Sequence, residues 1–145
     1  MNNLTKMEIS KPAKDVFEAF VDPGKIGKFW FSSSSERWEK GRTITLRYEE
    51  YEAQGDIHVI EMIENRKIVF EWGAEEGEPH LVTITFEDTD KASTIVEVNE
   101  EGFDEKDPDL IAKLVGNKEG WVYMLTCLKG YLEFGADRLR GALVK

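Results

Sequence analysis

The chain has 145 residues, of which 41% are hydrophobic and 33% charged; this is enough apolar material for a core and enough charge for a solvated exterior, which excludes wholesale disorder. The formal net charge of −10 repels phosphate backbones and anionic bilayers, so neither nucleic acid nor a membrane surface is expected as a partner. The single cysteine, Cys127, cannot build an internal disulfide framework.

No apolar run reaches the length of a membrane span. The opening "MNNLTKMEIS" has neither the basic nor the apolar region of a signal peptide, so a cytoplasmic protein with one domain over 1–145 is expected. Residues 3–10 alternate and predict a strand. In "SKPAKDVFEAF" Ser10 can cap, Pro12 suits the first helical turn, and Val16, Phe17 and Phe20 fall at helical spacing. "DPGKIGKFW" predicts a second short helix capped by Asp22. Strand-like segments follow. "SSERWE" is short, and "TITLRYEEY" puts Ile44, Leu46 and Tyr48 on one face. "GDIHVIEMI" is apolar on both faces, so alternation does not orient it. After an "NR" turn, "KIVFEW" puts Ile68, Phe70 and Trp72 on one face. "LVTITF" and "STIVEV" form a hairpin around "EDTDKA", with Val96 and Val98 sharing a face. The acidic stretch 100–110 reads as loop, with a short helical piece from Asp107 and Pro108 through Val115. A long helix then begins near Asn117, with a stripe of Trp121, Met124, Leu125, Leu128, Tyr131 and Leu132. Strands and helices are segregated in this order, which is an α+β pattern, and the terminal helix is the only element long enough to cover an antiparallel sheet.

Chemical motifs are sparse. His58 and His80 are far apart on different strands, HExxH and cysteine pairs are absent, and no metal site or cofactor is expected. No phosphate-cradling glycine motif occurs. Cys127 lies inside the terminal helix and reads as a small core residue. The runs "EEYE" at 49–52, "EEGE" at 75–78 and "EEGFDEKD" at 100–107 read as solvated surface. Glu61, Glu71, Glu97 and Glu100 lie on or at the end of strands, and by alternation Glu100 continues the face of Val96 and Val98; it reads either as a solvated strand end or, beside that apolar face, as an acid, base or ligand anchor. The aromatic inventory of Phe29, Trp30, Phe31, Trp38, Tyr48, Trp72 and Trp121 suits either a core or the walls of a pocket.

Read together, Lys11 and Pro12, Val16 and Phe17, Ala19, Asp22 and Pro23, Ile26, and Phe29 and Trp30 resemble the START-like SRPBCC superfamily. The branch is the one named after the activator of the heat-shock-protein-90 ATPase and its bacterial homologues. The likeness continues through Glu61, the strand Ile68 to Trp72, Thr94, Glu100, Gly102 and Phe103, and the helix start Gly120 and Trp121, in order over almost the whole chain. Where relatives commonly carry a histidine in the final strand, this chain has Glu100. The resemblance implies a helix-grip fold, in which a bent antiparallel sheet of about six strands wraps a long C-terminal helix, with two short helices after strand 1. It also implies a cavity between sheet and helix for apolar or amphipathic small molecules.

Three functions follow from this resemblance. In the first, a small-molecule binding protein, Trp30, Tyr48, Trp72 and Trp121 supply walls, Met124 and Leu125 border the cavity, and Glu100 is the polar anchor. The second is a cyclase- or hydrolase-type enzyme, which needs converging ionisable groups; Glu100 is the leading candidate, with Glu61 or His80 as its partner. The third is a chaperone-interacting module working through its surface. Either a monomer or a homodimer is compatible with the sequence.

Overall fold

The computed structural model describes residues 1–74 and 77–144, so two residues of the acidic run 75–78 lie outside the described part. Strand β1 (Asn2–Ile9) leads into helices α1 (Ala13–Val21) and α2 (Pro23–Ile26). Strands β2 (Ser33–Ser34), β3 (Thr43–Tyr48), β4 (Ala53–Ile63), β5 (Lys67–Trp72), β6 (His80–Asp88) and β7 (Thr94–Glu101) follow, and helix α3 (Leu110–Phe134) comes last. The strands form one antiparallel sheet in the order β1-β7-β6-β5-β4-β3-β2. With α3 gripped against it, this is the helix-grip arrangement.

Local chemistry explains most boundaries. Asp22 caps α2 by accepting from the Gly24 N–H at 2.8 Å, with Pro23 at the first helical position. Ser10 does not cap α1. Pro12 takes the cap position, and Asp88 at the end of β6 accepts the Ala13 N–H at 3.2 Å, so the sheet itself caps the helix. The turn after β4 places Asn65 at φ 62°, a left-handed conformation that asparagine tolerates well.

The double-faced apolar pattern of "GDIHVIEMI" has a structural cause. Val59 pairs with Phe70 and Glu61 with Val69, so Ile60 is the extra residue of a β-bulge. Before the bulge Ile57 and Val59 point into the core; after it the parity flips and Met62 packs inward. A bulge also bends the strand, which curves the sheet around α3.

The sheet expected at about six strands has seven, and two element boundaries are corrected. Its β2 is only two residues long, because Trp38 leaves the sheet, buries fully and hydrogen-bonds to Val21 O through its backbone and to Ser34 Oγ through its indole. The short helix through Val115 and the long helix from Asn117 are one continuous helix of 25 residues. Gly116 does not interrupt it, since an interior glycine costs only about 1 kcal/mol of helix propensity, while a broken helix leaves backbone groups unpaired.

The core fills the space between the sheet, α1 and the later part of α3. Phe17 and Phe20 meet Phe86 edge-on at 5.5 and 5.7 Å. On α3, Met124, Leu125, Cys127 and Leu128 are buried, and Tyr131 and Leu132 pack against them. Burial pushes the Cys127 thiol up from its ordinary range. Among the described residues no helix is long and apolar enough to cross a membrane.

Candidate functional site

Alternation along three adjacent strands brings Trp72, His80 and Glu100 to one face. Trp72 lies opposite His80 in the β5–β6 register, and Glu100 lies opposite Val82, one inward-facing position along from His80. The same face holds Ile68 and Phe70 on β5, Val82 and Ile84 on β6, and Val96 and Val98 on β7, all buried. Helix α3 crosses this end of the sheet and lowers Asn117 and Trp121 onto Glu100.

The result is a saturated carboxylate. Glu100 is 3% exposed. Its Oε1 accepts from Asn117 Nδ2 at 2.8 Å and from Trp121 Nε1 at 3.0 Å. Its Oε2 is hydrogen-bonded to His80 Nδ1 at 2.7 Å and accepts from Trp72 Nε1 at 3.3 Å. These four partners match the four lone-pair sites of a carboxylate. Asn117 is itself held by Asn3 of β1, whose Nδ2 donates to Asn117 Oδ1 at 3.0 Å.

Around this hub the tryptophans interlock. Trp72 stacks on Trp121 at 5.3 Å, Trp30 lies 5.5 Å from Trp121 and 6.2 Å from Trp72, and Phe31 and Tyr48 meet at 4.4 Å. They form a floor and one wall. Beyond them, toward the first turns of α3, a cleft of about 890 Å³ opens to solvent. Its far side is α3, where Gly116 and Gly120 face the space and a Cβ added to either would meet nothing within 4 Å. Burial pushes the Tyr48 phenol up to about 12, so this wall stays neutral at physiological pH.

Of the residues named from sequence, Trp30, Tyr48, Trp72, Glu100 and Trp121 all line the cleft. Met124 and Leu125 do not; they lie deeper along α3, buried at 3% and 0%. The helix borders the cleft one to three turns earlier than the apolar stripe indicates. Glu61 is also elsewhere, half-exposed on β4 and paired with Lys67 at 3.0 Å. Sequence reasoning gave His80 only a minor place and missed Asn117. The signal for His80 was the inward series Phe86, Ile84, Val82 extended by one more alternation. Asn117 had no signal short of the helix placement. Among the described residues no three His, Cys, Asp or Glu side chains gather where they could share a metal ion.

Residues 10–133 match the model of the family described as Activator of Hsp90 ATPase homolog 1-like protein. The chain belongs to this family. Its START-like SRPBCC fold is shared with a protein from Staphylococcus saprophyticus, SSP2350, at 54% identity and a TM-score of 0.83, covering 94% of this chain and 95% of that one. The Aha1 dimer from Colwellia psychrerythraea is similar at 19% identity and a TM-score of 0.80, over 93% of this chain and 98% of that one. DynU16, a putative protein of the dynemicin biosynthetic locus, is similar at 19% identity and a TM-score of 0.81; the match covers 94% of this chain but only 48% of DynU16. At such identities the last two show the fold alone. No curated protein matches the chain.

Proposed function

We propose that this member of the Activator of Hsp90 ATPase homolog 1-like family binds an apolar or amphipathic small molecule in the cleft between α3 and the adjoining ends of β5, β6 and β7. A cytoplasmic place of action is part of this proposal. One observation carries it: aromatic side chains are locked around a saturated carboxylate, yet about 890 Å³ beside them is left unfilled. A concave cleft of this size, walled by aromatic side chains, suits a small organic molecule. Gly116 and Gly120 fit the same reading, because both line the cleft and a Cβ added at either meets nothing within 4 Å, so the space beside them is left open.

Titration of the full chain with N-phenyl-1-naphthylamine, a neutral fluorophore that brightens on leaving water, tests the proposal. The expected result is a saturable one-to-one signal that disappears in Gly120→Leu, whose thermal unfolding stays at least as high as that of the wild type. A signal that never saturates, or one unchanged by the leucine, would overturn it.

A further inference from the structure

Resting on the small-molecule reading of the cleft, we propose that Nε2 of His80 is the hydrogen-bond acceptor for the ligand, so that the cleft takes apolar or amphipathic molecules carrying a hydroxyl or N–H donor in preference to carboxylates.

With Glu100 ionised and His80 neutral, as the proposal takes them, the 2.7 Å bond sets the tautomer: the carboxylate has no hydrogen to give, so Nδ1 donates and Nε2 is left as a bare lone pair. Among the described residues Nε2 has no hydrogen-bond partner, and His80 lines the cleft with its side chain 27% exposed.

The ring is also fixed in place. Phe103 packs against it edge-on at 4.6 Å. Gly102 sits across from it at φ 121°, and a Cβ there would come within 2.8 Å of His80 Cδ2. Only glycine leaves room for the imidazole at this point, and turning the ring would break the 2.7 Å bond to Glu100.

Glu100 cannot serve the ligand itself, because both of its oxygens are fully engaged. The remaining charged groups of the lining are chiefly acceptors: Asp56, Glu78, Asp104 and Asp107. The one lysine among them, Lys113, is engaged by Asp107. A ligand bearing a donor finds a prepared partner in His80. A carboxylate brings lone pairs to a lone pair, and negative charge to negative charge.

Calorimetric titration of the full chain with 2-naphthol, 2-methoxynaphthalene and 2-naphthoate tests this. The three share a ring system and differ in whether they donate, only accept, or carry negative charge. The expected result is that 2-naphthol binds roughly three- to tenfold tighter than 2-methoxynaphthalene, the worth of one hydrogen bond, and that 2-naphthoate is weakest. In His80→Phe the preference for 2-naphthol should vanish while 2-methoxynaphthalene still binds. Should that variant fail to fold, long-range 1H–15N correlation on the wild-type chain reads the same point. It should find the proton on Nδ1, and an Nε2 signal that moves with 2-naphthol and not with 2-methoxynaphthalene. Equal binding of 2-naphthol and 2-methoxynaphthalene, or a proton on Nε2, would overturn the role of His80 and leave the small-molecule reading standing. Binding by none of the three would overturn both.

Discussion

Glu100 organises the site by what it accepts. Its donors come from β5, β6 and two positions of α3, so one carboxylate ties the sheet to the helix at the floor of the cleft. Glu100→Gln keeps the shape but turns an NH₂ toward two of those donors, leaving buried N–H groups unpaired. The expected cost is about 2–3 kcal/mol, read as a lower urea midpoint with an unchanged m-value; a loss near zero would mean that the donors find water instead. Alternation along β7 made the inward direction of Glu100 legible in the sequence. It did not reveal that the carboxylate is fully occupied, because its partners depend on the register of two neighbouring strands and on where a helix far along the chain lands. The same limit hid Asn117, whose role exists only once α3 lies across Asn3 and Glu100. The sequence therefore pointed to Glu100 as a ligand anchor, whereas the hydrogen bonds engage both of its oxygens, and the acceptor proposed above is His80.

At the scale of the element, α3 does two jobs along its length. Its later turns fill the core with Met124, Leu125, Cys127 and Leu128. Its earlier turns overhang the cleft with Gly116 and Gly120. The apolar stripe marked the first job, since burial demands apolar residues at helical spacing. The second job leaves no such stripe, because a surface that faces open space need not be apolar. This is why Met124 and Leu125 read as cleft residues and are core. The glycines make a sharp prediction. In a continuous helix with nothing within 4 Å of the added methyl, Gly116→Ala and Gly120→Ala should each stabilise the protein by about 0.5–1 kcal/mol, measured by chemical denaturation. A loss of stability in either would show that the helix is packed there after all.

On the scale of the whole molecule, the segment after α3 is strapped back over the aromatic wall. Arg140 donates through Nε to Trp30 O and through its guanidinium to both carboxylate oxygens of Glu50, and its Cζ lies 5.9 Å from the Tyr48 ring centroid. The Tyr51 hydroxyl holds Leu143 O at 3.3 Å, and the Tyr123 hydroxyl donates to Leu139 O. None of this was legible in the sequence, because Arg140 in a short tail carries no periodic signal. The hydrogen bonds from Arg140, then those from the backbone and Ser32, lower the Glu50 carboxyl from 4.5 to about 2. A depressed carboxyl stabilises the fold above its unfolded value and loses that contribution as pH falls through its folded value. The difference in Tm between wild type and Arg140→Ala should therefore hold from pH 7 to about 5 and shrink between about 4.5 and 2. An equal difference at pH 6 and pH 2 would contradict the strap. The central claim, that the open space beside the tryptophans receives a small molecule, is tested most directly by the indole N–H signals of the four tryptophans during titration with 2-naphthol. The account predicts saturable shifts for Trp72 and Trp121, whose indoles bond to Glu100 at the cleft floor, and a stationary signal for Trp38, sealed in the core against Ser34. Signals that stay still throughout, or a Trp38 signal that moves as far as the other two, would contradict it.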